Sequence, residues 1–237
     1  MIGVVIPVHN EERLLGGCLA AVRRAASHRA LAGEPVCCMV VLDRCTDASA
    51  HIVSRMGFEA VTIDAGNVGV ARAVGAQKLL ERGPRWLAFT DADSRVAADW
   101  LVAQMALQAD AVCGSVSVGN WHAHPVALRD AWQRHYGGGD GHRHVHGANL
   151  GVTAHAYRCA GGFAPLACGE DVALVDQLIA MGAHVAWSAA PRVVTSCRAD
   201  ARVRGGFGDT LAAWRRAMGG GIDAGAGIGI GEVPGVR

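Results

Sequence analysis

Two carboxylates stand one residue apart directly after an apolar run, in Leu87-Ala88-Phe89-Thr90-Asp91-Ala92-Asp93-Ser94. Like charges this close repel, and burying them costs free energy unless a cation or hydrogen bonds compensate. A hard divalent ion, Mg²⁺ or Mn²⁺, is the natural compensator, held through one or two carboxylates with substrate phosphates completing its shell. The same spacing also suits turns and helix caps, where Asp is favoured. Position raises the metal reading. The run before Asp91 patterns as a buried strand, and in open α/β sheets ligands bind beyond the carboxyl ends of strands.

Two further strand ends carry polar groups to the same edge. Met39-Val40-Val41-Leu42 runs into Asp43, whose carboxylate can accept hydrogen bonds from a base N–H or a ribose hydroxyl. Asp47, four residues on, suits a helix N-cap. The first strand ends in Pro7-Val8-His9-Asn10-Glu11-Glu12, so His9, Asn10 and Glu11 face the same crevice. Arg72 lies early in a helix after the turn Asn67-Val68-Gly69, where a fork of N–H donors beside a helix N-terminus can take a diphosphate; a solvated surface arginine fits the position equally. His142, His144 and His146 would share one face of a strand and could bind a transition metal. The flexible run Gly137 to Gly141 before them better suits a loop over an acceptor site, with histidine supplying hydrogen bonds.

The elements that must position these residues follow from hydrophobic periodicity. Short β-branched runs alternate with Ala/Leu-rich segments of helical period, the βαβα pattern of a mainly parallel sheet with helices on both faces. Strands are expected at Val4–Ile6, Val36–Leu42, Ala60–Ile63, Trp86–Thr90, Ala111–Val118 and His184–Ser188. Helices are expected at Glu11–Ser27, Asp47–Met56, Val70–Arg82, Asp99–Leu107, Val126–Tyr136 and Asp171–Met181. Residues 1–218 read as one domain, and the Gly-rich stretch 219–237 as a disordered tail.

Composition narrows the partners. With 22 Lys and Arg against 21 Asp and Glu, the net charge of +1 gives no sign of a nucleic-acid surface, and a small partner is expected. The eight cysteines are scattered without a C-x-x-C pair, which suits reduced thiols in a cytoplasmic protein. No leader and no membrane-spanning apolar stretch are visible, so peripheral association is the expected limit of any membrane contact.

In order along the chain, Val5-Ile6-Pro7-Val8-His9-Asn10-Glu11-Glu12, Val40-Val41-Leu42-Asp43-Arg44-Cys45-Thr46-Asp47, Gly66-Asn67-Val68-Gly69 through Arg72, and Asp91-Ala92-Asp93 resemble the signatures of family 2 glycosyltransferases of the GT-A fold, which is Rossmann-like. The resemblance implies a nucleotide-sugar donor carrying UDP or GDP, with Pro7, Asn10, Glu11 and Asp43 lining the nucleoside pocket. It implies that Arg72 supports the donor and that Asp93, helped by Asp91, carries the metal. Gly169-Glu170-Asp171 resembles the family's later Glu-Asp motif, which implies Asp171 as catalytic base beside Glu170 and inversion at the anomeric carbon. Gly147-Ala148-Asn149-Leu150-Gly151 and Gly161-Gly162-Phe163 match its acceptor-side segment.

Two departures stand out. Leu42-Asp43 replaces the usual paired Asp, and Thr195-Ser196-Cys197-Arg198 offers no histidine where some relatives supply a metal ligand. Arg198, with Arg202 and Arg204, could instead offset diphosphate charge, and solvated loop arginines fit equally. Two other classes compete with the transferase reading. A sugar nucleotidyltransferase would need a Gly-rich basic loop after the first strand, and His9-Asn10-Glu11-Glu12 is not one. A non-catalytic nucleotide-sugar-binding module would tolerate loss of Asp171.

Overall fold

The computed structural model describes residues 1–119, 121, 126, 129–130, 136 and 139–196. The expected helix Val126–Tyr136 falls largely, and the 219–237 stretch and Arg198, Arg202 and Arg204 wholly, outside them. The described chain builds one sheet in the order β3-β2-β1-β4-β7-β6-β8-β5. Its strands are β1 (Ile2–Val8), β2 (Val36–Asp43), β3 (Glu59–Ile63), β4 (Trp86–Phe89), β5 (Arg95–Val96), β6 (Ala111–Val118), β7 (Leu150–Thr153) and β8 (Val185–Thr195). The helices are α1 (Leu15–Ala26), α2 (Ser49–Arg55), α3 (Val68–Leu80), α4 (Trp100–Ala106), α5 (Ala154–Cys159) and α6 (Glu170–Ala180).

The period of two in the central strands decides which helix covers which face. Ile2, Val4, Ile6, Val40, Leu42, Trp86 and Ala88 share one core with Leu15, Leu19 and Val22 of α1, Val53 of α2 and Trp100 of α4. Their neighbours Val5, Met39, Val41, Leu87 and Phe89 share the other with Ala76 and Leu79 of α3 and Leu174 and Leu178 of α6. Strands covered on both faces read as continuous apolar runs, as these do. Helix α3 packs unusually close, because a Cβ on Gly75 would sit 2.5 Å from Val5 and 2.9 Å from Val41. Glycine lets the helix backbone rest on the sheet.

Strand β1 runs parallel to β2 on one side and to β4 on the other, so the chain order reverses at β1. In open α/β sheets such a reversal is where a ligand crevice lies, which here means the carboxyl ends of β1, β2 and β4. Strand β7 enters antiparallel to β4, pairing Leu150 with Phe89, and so brings the preceding turn Gly147–Asn149 to the same edge.

Several boundaries differ from the periodicity. Helix α1 starts at Leu15 rather than Glu11, because the carbonyl of Glu11 first closes a turn with the N–H groups of Leu14 and Leu15. Helix α3 starts two residues early, at Val68, since the Asn67 side chain caps it by accepting from Val70 N at 2.9 Å. Strand β8 extends to Thr195 instead of ending at Ser188. It passes Pro191 through an irregularity in its pairing with β6, where Gly114 opposes Ser188 and Ser115 opposes Arg192. The buried Asn149 side chain fills that gap, donating to the carbonyls of Ser115 and Pro191 at 2.7 and 2.8 Å and accepting from the Trp100 indole at 2.8 Å. Among the described residues no helix is long and apolar enough to cross a membrane.

Candidate active site

On one side of the crevice, the loops after β1 and β2 are laced together. Asn10 takes a left-handed conformation (φ 54°), and its side-chain Oδ1 accepts from Thr46 N at 2.7 Å and Asp47 N at 3.3 Å. Asp47 accepts from Glu12 N and Ser49 N, each at 2.9 Å, while Glu12 accepts from Ala48 N at 3.0 Å and the Ser49 hydroxyl from Glu11 N at 2.9 Å. The His9 ring lies 2.8 Å from the Asp43 carbonyl. Helix α2 is flanked by Ala48 with no side-chain cap, so Asp47 braces two loops rather than capping a helix alone. The buried Asp43 carboxylate accepts from Ala65 N and Gly66 N, both at 2.8 Å, and Asn67 N at 2.9 Å. It ties the end of β2 to the loop that starts α3. Pro7 lies within β1, half-buried beside Val41 of β2.

The acidic side is built from β4, α3 and α6. Arg72 lies on the buried stripe of α3 with Gly69, Gly75, Ala76 and Leu79, a spacing of three and four residues. Its guanidinium pairs with Glu170 through one terminal nitrogen and with Asp91 Oδ1 through the other, at 2.6 Å in the second case. Phe163 lies 5.8 Å from the guanidinium carbon. Gly147 closes another side, because a Cβ there would overlap the guanidinium. The fork that the sequence offered to a diphosphate is thus filled by two carboxylates.

Burial pushes the Asp91 and Glu170 carboxyls up, against the pull of Arg72. Burial would pull Arg72 down, but Asp91, Glu170 and Asp171 together raise it above its ordinary value. These opposed directions describe an ion-paired cluster still bearing a desolvation cost. Asp91 keeps 35% of its side chain exposed, so it faces the cleft while Arg72 holds it from beneath.

Asp93 accepts from the hydroxyls of Ser94 at 3.1 Å, Thr195 at 3.3 Å and Ser196 at 2.6 Å. Asp171, in the first turn of α6 beside Glu170, accepts from Gly147 N at 2.6 Å and Val172 N at 2.9 Å. Asp91 and Asp93 are hard oxygen donors of the type magnesium or manganese takes, both only partly buried, with one Asp91 oxygen given to Arg72 and both Asp93 oxygens accepting from hydroxyls. Among the described residues no group of three or more His, Cys, Asp or Glu side chains could hold a metal by itself, so an ion at Asp91 and Asp93 would draw on water or phosphate oxygens as well.

The same finding bears on His142, His144 and His146. Their rings stack, with centroids 5.6 and 6.1 Å apart, and Tyr136 continues the stack 4.4 Å from His144. The Tyr136 hydroxyl lies 2.8 Å from His146 Nε2. Contacts missed by sequence reasoning are the hydroxyls around Asp93 and the Arg72 bridge to Glu170. The bridge spans 98 residues, yet Arg72 on an otherwise small and apolar helical stripe was a visible sign of burial.

The family model described as Glycosyl transferase family 2 matches residues 3–159. The chain belongs to glycosyl transferase family 2. No protein of curated function matches it. The family 2 chain is similar in fold to Staphylococcus aureus TarS residues 1–349, solved in complex with UDP-GlcNAc, at 13% identity and a TM-score of 0.64, covering 85% of this chain and 60% of that one. It is also similar to the mannosyltransferase PcManGT from Pyrobaculum calidifontis, solved with GDP-Man and Mn²⁺, at 19% identity and a TM-score of 0.58, covering 91% of this chain and 60% of that one. The family 2 chain therefore spans about 60% of the length of these structures. The shared architecture is the Rossmann-like α/β GT-A fold, here with a mixed, mostly parallel central sheet.

Proposed function

We propose that this family 2 chain transfers a sugar from a nucleoside diphosphate donor, UDP- or GDP-linked, to an acceptor hydroxyl with inversion at the anomeric carbon. The observation that carries the reading is the gathering of Asp91, Asp93, Glu170 and Asp171 at the carboxyl edge of β1, β2 and β4, beside the braced loops that follow β1 and β2. Support also comes from the TarS and PcManGT complexes, which hold UDP-GlcNAc and GDP-Man with Mn²⁺ in the same fold.

Pro7, His9, Asn10, Glu11 and Asp43 form the nucleoside side, where the braced loops give the base and ribose a wall that need not reorganise on binding. Asp91 and Asp93 would hold Mg²⁺ or Mn²⁺ against the donor's phosphates. That ion would supply charge stabilisation to the departing diphosphate. Asp171 takes the proton of the acceptor hydroxyl as its oxygen bonds to the anomeric carbon and the bond from that carbon to the diphosphate oxygen breaks. Its carboxylate is oriented for this by Gly147 N and stands next to Glu170, whose own charge Arg72 offsets.

Slow donor hydrolysis provides a test that needs no acceptor. Incubation with UDP- and GDP-sugars and Mn²⁺ should release UDP or GDP, and release should vanish with chelation and fall steeply in Asp171→Asn. Release that ignores both metal and Asp171 would remove the transferase reading.

A further inference from the structure

The family reading gives an arginine in this place to the donor, but Arg72 has little access to one. Its side chain is 5% exposed, and it is the buried cation among the described residues. Both terminal nitrogens end on acids from separate parts of the chain: Asp91 just after β4, and Glu170 at the first position of α6. Phe163 and the Gly147 backbone enclose the rest of the group. Gly147 has a second contact, since its N–H donates to Asp171 at 2.6 Å. One guanidinium therefore touches a member of the proposed metal pair, the neighbour of the proposed base, and the turn that donates to that base.

We propose that Arg72 is a positioning residue that fixes Asp91 directly, and Asp171 through Glu170 and Gly147, so that the metal-holding and proton-accepting carboxylates keep one relative geometry. The assignment of those two carboxylates rests on the function proposed above; the bridge itself does not. A planar fork can hold two carboxylates at once, whereas a lysine ammonium is a single point charge on a flexible stem. Arg72→Lys keeps the charge and removes the bridge.

The test uses the full chain and two readouts. Without ligand, backbone hydrogen exchange in residues 90–93 and 147–149 should accelerate in Arg72→Lys while the central strands keep parental protection. In calorimetric titrations with UDP and GDP, metal-free affinity should stay near parental, while the gain from Mn²⁺ should shrink about 10-fold or more, the usual cost of losing a group that orients a metal ligand. Metal-free affinity falling as far as the Mn²⁺-dependent affinity would mean that Arg72 grips the diphosphate itself, and would overturn the proposal. Unchanged exchange in both segments would overturn it too. If the parent binds neither diphosphate, the proposed function fails while the exchange result still decides the bridge. Should Arg72→Lys not fold, the charge-balanced pair Arg72→Gln with Glu170→Gln takes its place, with the same loosening of residues 90–93 expected; failure of that variant to fold would give Arg72 to core stability alone.

Discussion

A carboxylate in the first turn of a helix can serve the helix dipole, a neighbouring backbone amide, or a reaction; Asp171 has the first two in α6 and Gly147 N, and the third is the role proposed for it. Substitution by Asn separates them. The amide oxygen of Asp171→Asn can still accept from Gly147 N, but the side chain cannot take a proton from an acceptor. Single-turnover transfer should therefore fall about 10²-fold or more. Donor affinity and melting temperature should stay near parental values, and substantial transfer by the variant would move attention to Glu170. At this scale the sequence located the acidic residues well, because a carboxylate after an apolar run or at a helix start is visible locally. What those carboxylates touch was not visible. Asp91 meets Arg72 across 19 residues and Glu170 meets it across 98, and no local pattern encodes such pairings.

Elements long enough to show a period were legible, and a short strand or an irregular strand end was not. Strand β6 matches its expected range, Ala111–Val118, because Val112, Val116 and Val118 keep a period of two along it. Strand β7 is only four residues, Leu150–Thr153, and holds Gly151, so nothing in its own sequence announces a strand; pairing with β4 and β6 makes it one. Strand β8 crosses Pro191 only because its pairing shifts there and Asn149 satisfies the freed carbonyls. The loop before α3 likewise depends on a distant group, the Asp43 carboxylate with its three N–H donors. Asp43→Ala orphans those partly buried donors, and hydrogen bonds to a charged group are worth about 1.5 to 3 kcal/mol. Chemical denaturation should show a stability loss of about 2 kcal/mol or more. Parental stability with weakened nucleotide affinity would instead give Asp43 to the ligand alone.

Across the molecule, the fold class follows from the alternation of strand and helix patterns, while the join between the first half of the chain and the later half rests on tertiary contacts. His146 lies at that join, with the Tyr136 hydroxyl at its Nε2 and Asp171 nearby. Burial lowers its imidazole to about 4; Asp171 opposes this, and His144 and His142 add to it. An unfolded histidine takes up its proton near about 6.5, so the unfolded chain binds the extra proton first as pH falls. The His146 contribution is therefore complete above about pH 6.5 and is lost as pH drops towards about 4. Denaturation midpoints should fall through this window in the parent and fall less in His146→Gln. Equal slopes in the two proteins would contradict the assignment.

The function proposed above requires the crevice at the carboxyl ends of β1, β2 and β4 to bind a nucleoside diphosphate with a metal held by Asp91 and Asp93. A ligand that binds only the native state stabilises it by about 2.7 kcal/mol at a hundred times its dissociation constant, which shifts a melting curve by several degrees. The decisive measurement is a thermal-shift titration of the parent and Asp93→Ala with UDP and GDP, each with and without Mn²⁺. One diphosphate should raise the parent's melting temperature, Mn²⁺ should enlarge the shift, and Asp93→Ala should fold but lose the enlargement. A parent that responds to neither diphosphate, or an Asp93→Ala variant that keeps the full Mn²⁺-dependent shift, would contradict the proposed function.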